Sequence, residues 1–184
     1  MIRKFLPITW AGLMVLLFMT ACGGWYVSAE RQEASEVRQT IFRFKNADPA
    51  IAPFFDEAYA YAIFPTVGKG GFFLGGGYGT GVVYEQGQMV GHATLTKVTV
   101  GAQIGAQAFS EILFFQDKAA LEAFKAGNLV FESQITAVIA TQHPATKSYT
   151  FNNGIAGFSL PRVGAMAEVT VGGQQFQFKP IQGQ

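Results

Sequence analysis

The sequence predicts an α+β fold in which two N-terminal helices and a short middle helix pack on a mainly antiparallel β-sheet or sandwich. Three observations carry that prediction. From Gly71 to Tyr84, mostly small odd positions (Gly71, Phe73, Gly75, Gly77, Gly79, Gly81, Val83) alternate with mostly bulkier even ones (Phe72, Leu74, Gly76, Tyr78, Thr80, Val82, Tyr84), and a period of two belongs to a strand. Upstream, apolar residues recur every three or four positions, first as Ala34, Val37, Ile41 and Phe44, then as Ile51, Phe54, Phe55, Ala58 and Ala62, which is helical spacing. Downstream, short runs suited to strands are separated by glycine, proline and asparagine turns.

The N-terminus stands apart from this domain. Arg3 and Lys4 precede an apolar run from Phe5 to Phe18 that ends at Met19-Thr20-Ala21-Cys22. A basic start, an apolar stretch too short to span a bilayer, and small residues before a cysteine make a lipoprotein signal. Residues 1–21 are therefore read as a signal peptide and Cys22, the sole cysteine, as the lipidated position. The plainer alternative is an ordinary signal peptide or an uncleaved membrane helix, with Cys22 buried. One cysteine makes no disulfide. Residues 22–28 read as a short tether and 29–184 as one domain, long enough for a single core. Gly23, not aspartate, follows Cys22, which points to a bacterial cell envelope location, lipid-anchored at the outer membrane and facing the periplasm or the cell surface.

Within the domain, Ser28 caps a first helix that runs to about Lys45. Arg31, Arg38 and Lys45, seven apart, line one edge of its apolar stripe. That arrangement suits an anionic lipid surface or, with Glu33 and Glu36 among the charges, the solvated rim of a docked helix. Asp48-Pro49 stops this helix and starts a second, after which Pro65 draws Ile63-Phe64 into extended structure. Strands are predicted near Gly71–Gly77, Thr80–Tyr84, Met89–Lys97, Val100–Gln107 and Glu111–Phe115, with a tight turn at Gly87 pairing Thr80–Tyr84 with Met89–Ala93. Asp117 caps the middle helix, whose Leu121 and Phe124 face inward. Further strands are predicted at Leu129–Ala140, Ser148–Phe151, Ile155–Leu160, Ala165–Val171 and Gln175–Lys179, broken at His143-Pro144, Asn153-Gly154, Pro161 and Gly172-Gly173. Interior glycine weakens a strand, so this many in alternate places imply that another backbone, or a ligand, lies close against the bare face.

The run AIFPTVGKGGFFLGGGYGTGVVYE (Ala62–Glu85), followed by GAQIGAQ (Gly101–Gln107), ILFF (Ile112–Phe115) and SYTFNNGIAGFSL (Ser148–Leu160), closely resembles the SYLF domain, a lipid-binding module of bacteria and eukaryotes. The resemblance extends from about Val37 to Leu160 and implies phospholipid as the ligand class. Eukaryotic members also bind actin, through segments outside the shared core, so actin binding is not carried over to this chain.

The residues themselves argue against catalysis. The glycine cluster matches neither GxGxxG nor GxxxxGK[ST], and no helix follows it to aim amides at a phosphate, so no nucleotide cofactor is expected. His92 and His143 are isolated, which excludes an obvious metal site, and His92 in a strand reads as a structural histidine. No GxSxG elbow is present, and the one adjacent acidic pair, Asp56-Glu57, sits on a helix where neighbours diverge. Thirteen basic and twelve acidic residues leave no basic field for nucleic acid.

What remains is a set of candidates for lipid contact. Lys69, at the mouth of the glycine-rich strand, could hold a lipid phosphate. Phe72 and Phe73 follow it as core residues or as a ligand wall. Gln103 and Gln107, with Gly105 between them, would point one way on a strand, as hydrogen-bonded buried amides or as the polar floor of a pocket. Arg31, Arg38 and Lys45 complete the set. The expected function is a membrane-anchored, non-enzymatic phospholipid-binding lipoprotein. The alternative is a structural or scaffold lipoprotein that contacts other envelope proteins.

Overall fold

The structure is a computed structural model that describes residues 10–127, 130–132, 136–138 and 149–181, with side chains described outside 10–28, 102–103, 130–138 and 163–172. The chain divides into an N-terminal unit, Met1–Arg38, and a domain, Gln39–Gln184. Helix α1 spans Trp10–Ala47 and so belongs to both. It starts well before Ser28 and takes in residues 22–28, read above as a tether. Gly23-Gly24 costs roughly 1 kcal/mol per glycine relative to alanine, which the Leu, Met and Ala upstream can offset by their helix propensity. The backbone of Cys22 lies in this helix, and its side chain is outside the described residues. Among the described residues no helix is long and apolar enough to cross a membrane, which says nothing of strands.

In the domain, α1 ends where the sequence requires. Asp48 adopts extended φ/ψ and its carboxylate accepts from the Ala50 amide at 3.0 Å, with Pro49 opening a 3-10 turn, Pro49–Ile51. Helix α2, Ala52–Glu57, continues it. The second helix is shorter than its apolar spacing suggested, and Ala62 falls in the strand that follows.

The strands are β1 (Ala60–Gly71), β2 (Leu74–Glu85), β3 (Gln88–Phe115), β4 (Val130–Glu132), β5 (Thr136–Val138) and β6 (Ile155–Pro180), with α3 (Lys118–Lys125) between β3 and β4. The sheet is a set of nested arches. β1 and β2 form a hairpin joined by Phe72-Phe73. β3 runs alongside β2 as far as Val100, passes the tip of that hairpin, and returns alongside β1 from Gly105. β6 follows the outer edge of β3 along its length, from Phe115↔Ile155 to Gly91↔Pro180. β4 pairs antiparallel and β5 parallel with β6.

The sheet curls so far that its two halves meet. Phe64 on β1 and Phe176 on β6 stand on strands separated by β2 and β3 in the pairing order, yet their rings are 5.7 Å apart. The inner face is filled by Ala62, Phe64, Val67, Leu95, Phe109, Leu113 and Phe115, and α3 closes it with Leu121 and Phe124. The outer face is covered by α2, whose Phe54 and Phe55 pack on Phe114 at 5.5 and 4.8 Å. Asp117 caps α3 as expected, accepting from the Ala120 amide at 2.8 Å.

Several predicted breaks are bends instead. Three strands expected over Met89–Phe115 are the single β3, because Gly101 (φ +144°) and Gly105 (φ +120°) let the chain turn without ending. Pro161 and Gly172-Gly173 lie within β6, the proline opposite Phe109 where the register shifts, a position that tolerates a missing donor. Gly71–Gly77 is not one strand but contains the β1–β2 turn. β1 was not predicted as a strand, although Ile63-Phe64 before Pro65 was read as extended; the register irregularity between Ile63 and Thr66 accommodates the proline. The predicted turns at Gln86-Gly87 and Asn153-Gly154 both have positive φ at both residues. Of Leu129–Ala140 only β4 and β5 lie within the described residues, and Tyr149–Phe151 is not a strand.

Candidate functional site

The bare face of β2 points inward, where close approach demands glycine. A Cβ on Gly79 would lie 2.7 Å from Val67 Cγ2 and 2.9 Å from the Thr66 carbonyl oxygen, and one on Gly81 would overlap the Ile63 carbonyl. The neighbour inferred from the alternation is therefore β1 itself, paired alongside β2 in the same curled sheet. The outward glycines differ: a Cβ on Gly68 would meet nothing within 4 Å.

Along these strands the polarity of the two faces inverts. Toward the α3 end, β3 turns Ala93 and Leu95 inward and His92 outward, the ordinary arrangement. Toward the hairpin tip the same strand turns Lys97 and Thr99 inward and exposes Val98 and Val100. β2 follows suit, exposing Leu74 and Tyr78, and Leu74 is the direct cross-strand partner of Val100. Ile104 at the bend is also exposed.

The tip residues Phe72 and Phe73 are 58 and 68 % exposed and pack edge to face on each other, 4.5 Å between centroids. The Gly101 amide donates to the Phe73 carbonyl at 3.1 Å, fixing the tip against the bend of β3. Neither Gly70–Tyr84 nor Val98–Ser110 contains a charged residue. Phe72 and Phe73 are thus neither core nor the wall of an enclosed pocket; they crown an apolar cap with Leu74, Tyr78, Val98, Val100 and Ile104. A contiguous exposed apolar surface of this kind marks an interaction site.

Behind the cap lies a polar interior. Cross-strand register places Gln107, Lys69, Gly77, Lys97 and Gln174 in one row across four strands. Lys69 is 7 % exposed, so it lies inside the curl and not at its mouth, and it shares Gly77 as a neighbour with Lys97. Lys97 Nζ sits 5.2 Å over the Phe109 ring. Next to this row is Glu111, fully buried, whose carboxylate accepts from the Gln174 amide nitrogen at 2.9 and 3.2 Å with that amide oriented toward it. Burial pushes the Glu111 carboxyl up to about 7, against the opposing pull of Lys97 and the Gln174 hydrogen bond.

The remaining candidates are dispersed. Gln107 pairs with Lys69 and is half-buried, whereas the side chain of Gln103 lies outside the described residues. Ile104, Gly105 and Ala106 are all exposed, so the alternation that would set the two glutamines on one face is interrupted at Gly105. In the N-terminal unit Arg31 and Arg38 are exposed. In the domain Lys45 Nζ lies 4.6 Å over the Phe55 ring. Among the described residues no three of His, Cys, Asp and Glu gather as a metal site would require.

Sequence reasoning missed Leu74, Tyr78, Val98, Val100 and Ile104. The signal was present in Leu95-Thr-Lys97-Val-Thr99-Val: with Leu95 inward, parity forces Lys97 and Thr99 inward and both valines out.

No family model matches the chain. The chain is similar to a protein named Beta cell expansion factor A from Aeromonas veronii, 26 % identical over 139 residues that make up 74 % of this chain and 52 % of that protein. It therefore spans about half the length of the curated relative it matches.

Proposed function

We propose that this chain is a non-enzymatic, membrane-anchored phospholipid-binding lipoprotein of the SYLF type, located in the bacterial envelope, and that the apolar cap is the part that enters the lipid. One observation carries the reading: at the hairpin end the strands are apolar outside and polar inside. That is the order found where strands face hydrocarbon, the reverse of a water-facing domain. The cap runs four residues along the ladder, from Leu74 opposite Val100 to Tyr78 opposite Thr96. At about 3.3 Å per residue, that is a depth of roughly 10–15 Å, with Tyr78 at the level where an amphipathic ring prefers to sit. Moving one phenylalanine from water into the acyl region contributes about 1.5–3 kcal/mol, so Phe72 and Phe73 together can drive binding without specific contacts. Anchoring through Cys22 would supply the second membrane signal that stable attachment needs.

The test uses residues 29–184, which lack Trp10 and Trp25 and hence carry no tryptophan. Phe73→Trp then makes one indole at the tip. The expected result is a blue-shifted emission on adding phospholipid vesicles and quenching by brominated acyl chains. Unshifted emission with vesicles that do co-sediment would place lipid contact elsewhere. If the protein instead binds no vesicle and carries no co-purifying phospholipid, the scaffold alternative is favoured.

A further inference from the structure

The domain carries a second candidate site, a concave one, that shares no residue with the apolar cap. It is an open cleft of about 680 Å³ lined by Ala50, Pro53, Phe54 and Glu57 on one side and by Gln116 and Tyr149–Phe151 on the other. The first four are spaced i, i+3, i+4 and i+7, so the 3-10 turn and α2 present one face to it. Its volume is that of a small-molecule site.

The lining has a definite chemistry. Phe54, Tyr149 and Phe151 give it aromatic walls, with the Phe54 and Phe151 rings 5.1 Å apart. Tyr149 is held in place: its hydroxyl donates to Asp48 Oδ2 at 2.7 Å and its ring stands edge-on to Phe158 at 4.8 Å. The other Asp48 oxygen caps the Ala50 amide, so the carboxylate that orients the tyrosine is itself fixed from two sides. Burial and that hydrogen bond push the Tyr149 phenol up to about 12, so it remains neutral. Among the described lining residues the one charged group is Glu57, an exposed carboxylate, and none is a lysine, arginine or histidine.

Aromatic side chains and a carboxylate, with no cation among the described lining residues, select a positive guest. The guest is one whose charge is wrapped in alkyl groups, because a quaternary ammonium sheds its water cheaply and presents methyl groups to ring faces. A phosphate or carboxylate ligand would meet the Glu57 carboxylate instead of a counter-charge among the described lining residues. A primary ammonium would forfeit most of its hydration to rings that return little.

We propose that this cleft binds a quaternary ammonium group, Tyr149 and Phe151 supplying ring faces and Glu57 the counter-charge. Such a group comes either as a free small molecule or as a lipid headgroup.

The experiment titrates the full-length protein, in a maltoside detergent free of choline, with choline. It repeats the titration with 3,3-dimethylbutan-1-ol, the neutral carbon isostere of choline, following the ligand methyl resonances by saturation transfer. Choline is expected to bind about three- to tenfold more tightly than the isostere, a ratio set by charge over aromatic faces. Glu57→Gln should lower choline affinity severalfold and leave the isostere unchanged, and Phe151→Leu should weaken both. Glycerophosphocholine separates the two sources: tighter binding than choline assigns the cleft to a lipid headgroup, and weaker binding to a free cation. Equal binding of choline and its isostere by the wild-type protein, or no binding of either, overturns the proposal. Because that comparison uses the unaltered chain, it stands even if Phe151→Leu fails to fold.

Discussion

Glu111 and Gln174 meet inside the curled sheet, a carboxylate on the returning half of β3 and an amide on the last part of β6, 2.9 Å apart at the nearer oxygen. The contact ties the two halves of the curl together in the layer where its interior changes from apolar to polar. It also places an ionisable group where water does not reach.

A pH dependence of stability follows from that burial. The Glu111 carboxyl is raised from 4.5 to about 7 in the folded protein. Between those values the folded chain keeps a proton that the unfolded chain has released, so stability from this group is fully present at the acid end and is lost as pH rises through about 7. The excursion is of order 3 kcal/mol. Glu111→Gln, which preserves shape and a hydrogen-bonding partner, should flatten the slope of stability against pH and raise the denaturation midpoint at pH 8. A slope identical to wild type would assign the titration to another group.

The inward and outward glycines of β1 and β2 should respond oppositely to added bulk. A Cβ on Gly77 would lie 3.2 Å from both the Gly68 carbonyl oxygen and Lys97 Cβ, and one on Gly79 nearer still to Val67. Gly77→Val and Gly79→Val are each expected to cost about 1–3 kcal/mol through overpacking. The nearest atom to a Cβ on Gly76 is 4.0 Å away, so Gly76→Val should be close to neutral. Urea denaturation of the three variants would show the difference, and equal midpoints would mean that the inner face has room.

Binding and stability should separate at the tip. Phe72→Ser/Phe73→Ser removes side chains that are already exposed, so the thermal midpoint is expected to hold while vesicle affinity drops by more than tenfold, with little dependence on salt. Replacing Arg31, Arg38 and Lys45 with alanine should cost up to about 3 kcal/mol at low salt and almost nothing at high salt, if α1 lies against an anionic surface. Lys69→Met is expected to alter stability and not vesicle affinity, because that side chain is interior. A salt series on the three variants, read by vesicle co-sedimentation, distinguishes cap from helix.

The proposed anchoring rests on Cys22. Cys22→Ala should abolish palmitate labelling and leave the precursor unprocessed or release it from the membrane fraction. Labelling that survives the substitution would remove Cys22 as the acceptor.

Local chemistry was legible in the sequence, and non-local geometry was not. Asp48 and Asp117 were readable as caps, and Gln86-Gly87 and Asn153-Gly154 as turns, because each depends on a few adjacent residues. Gly101, Gly105, Gly172 and Gly173 carry the same letter but sit inside strands, since whether a glycine ends a strand or bends it is decided by ladders formed elsewhere. The candidate site failed for a related reason. Lys69 looked exposed and Phe72 and Phe73 looked buried under the usual rule that apolar residues go inside. Only the curl of the sheet, visible in the contact of Phe64 with Phe176, shows which side is inside.

The nested arches also govern the order in which the molecule can be assembled. β3 lies mid-chain, but its first half is flanked on one side by the last strand, Gly91 against Pro180. The β1–β2 hairpin and its embrace by β3 are local events. The outer arch must wait until nearly the whole chain has been made, and until then β3 presents a long open edge. Long-range pairing of this kind slows folding and exposes an aggregation-prone intermediate. A nascent chain of this topology therefore passes through a stage at which one edge of β3 is unpaired, and it leaves that stage only when the partner strand β6 arrives.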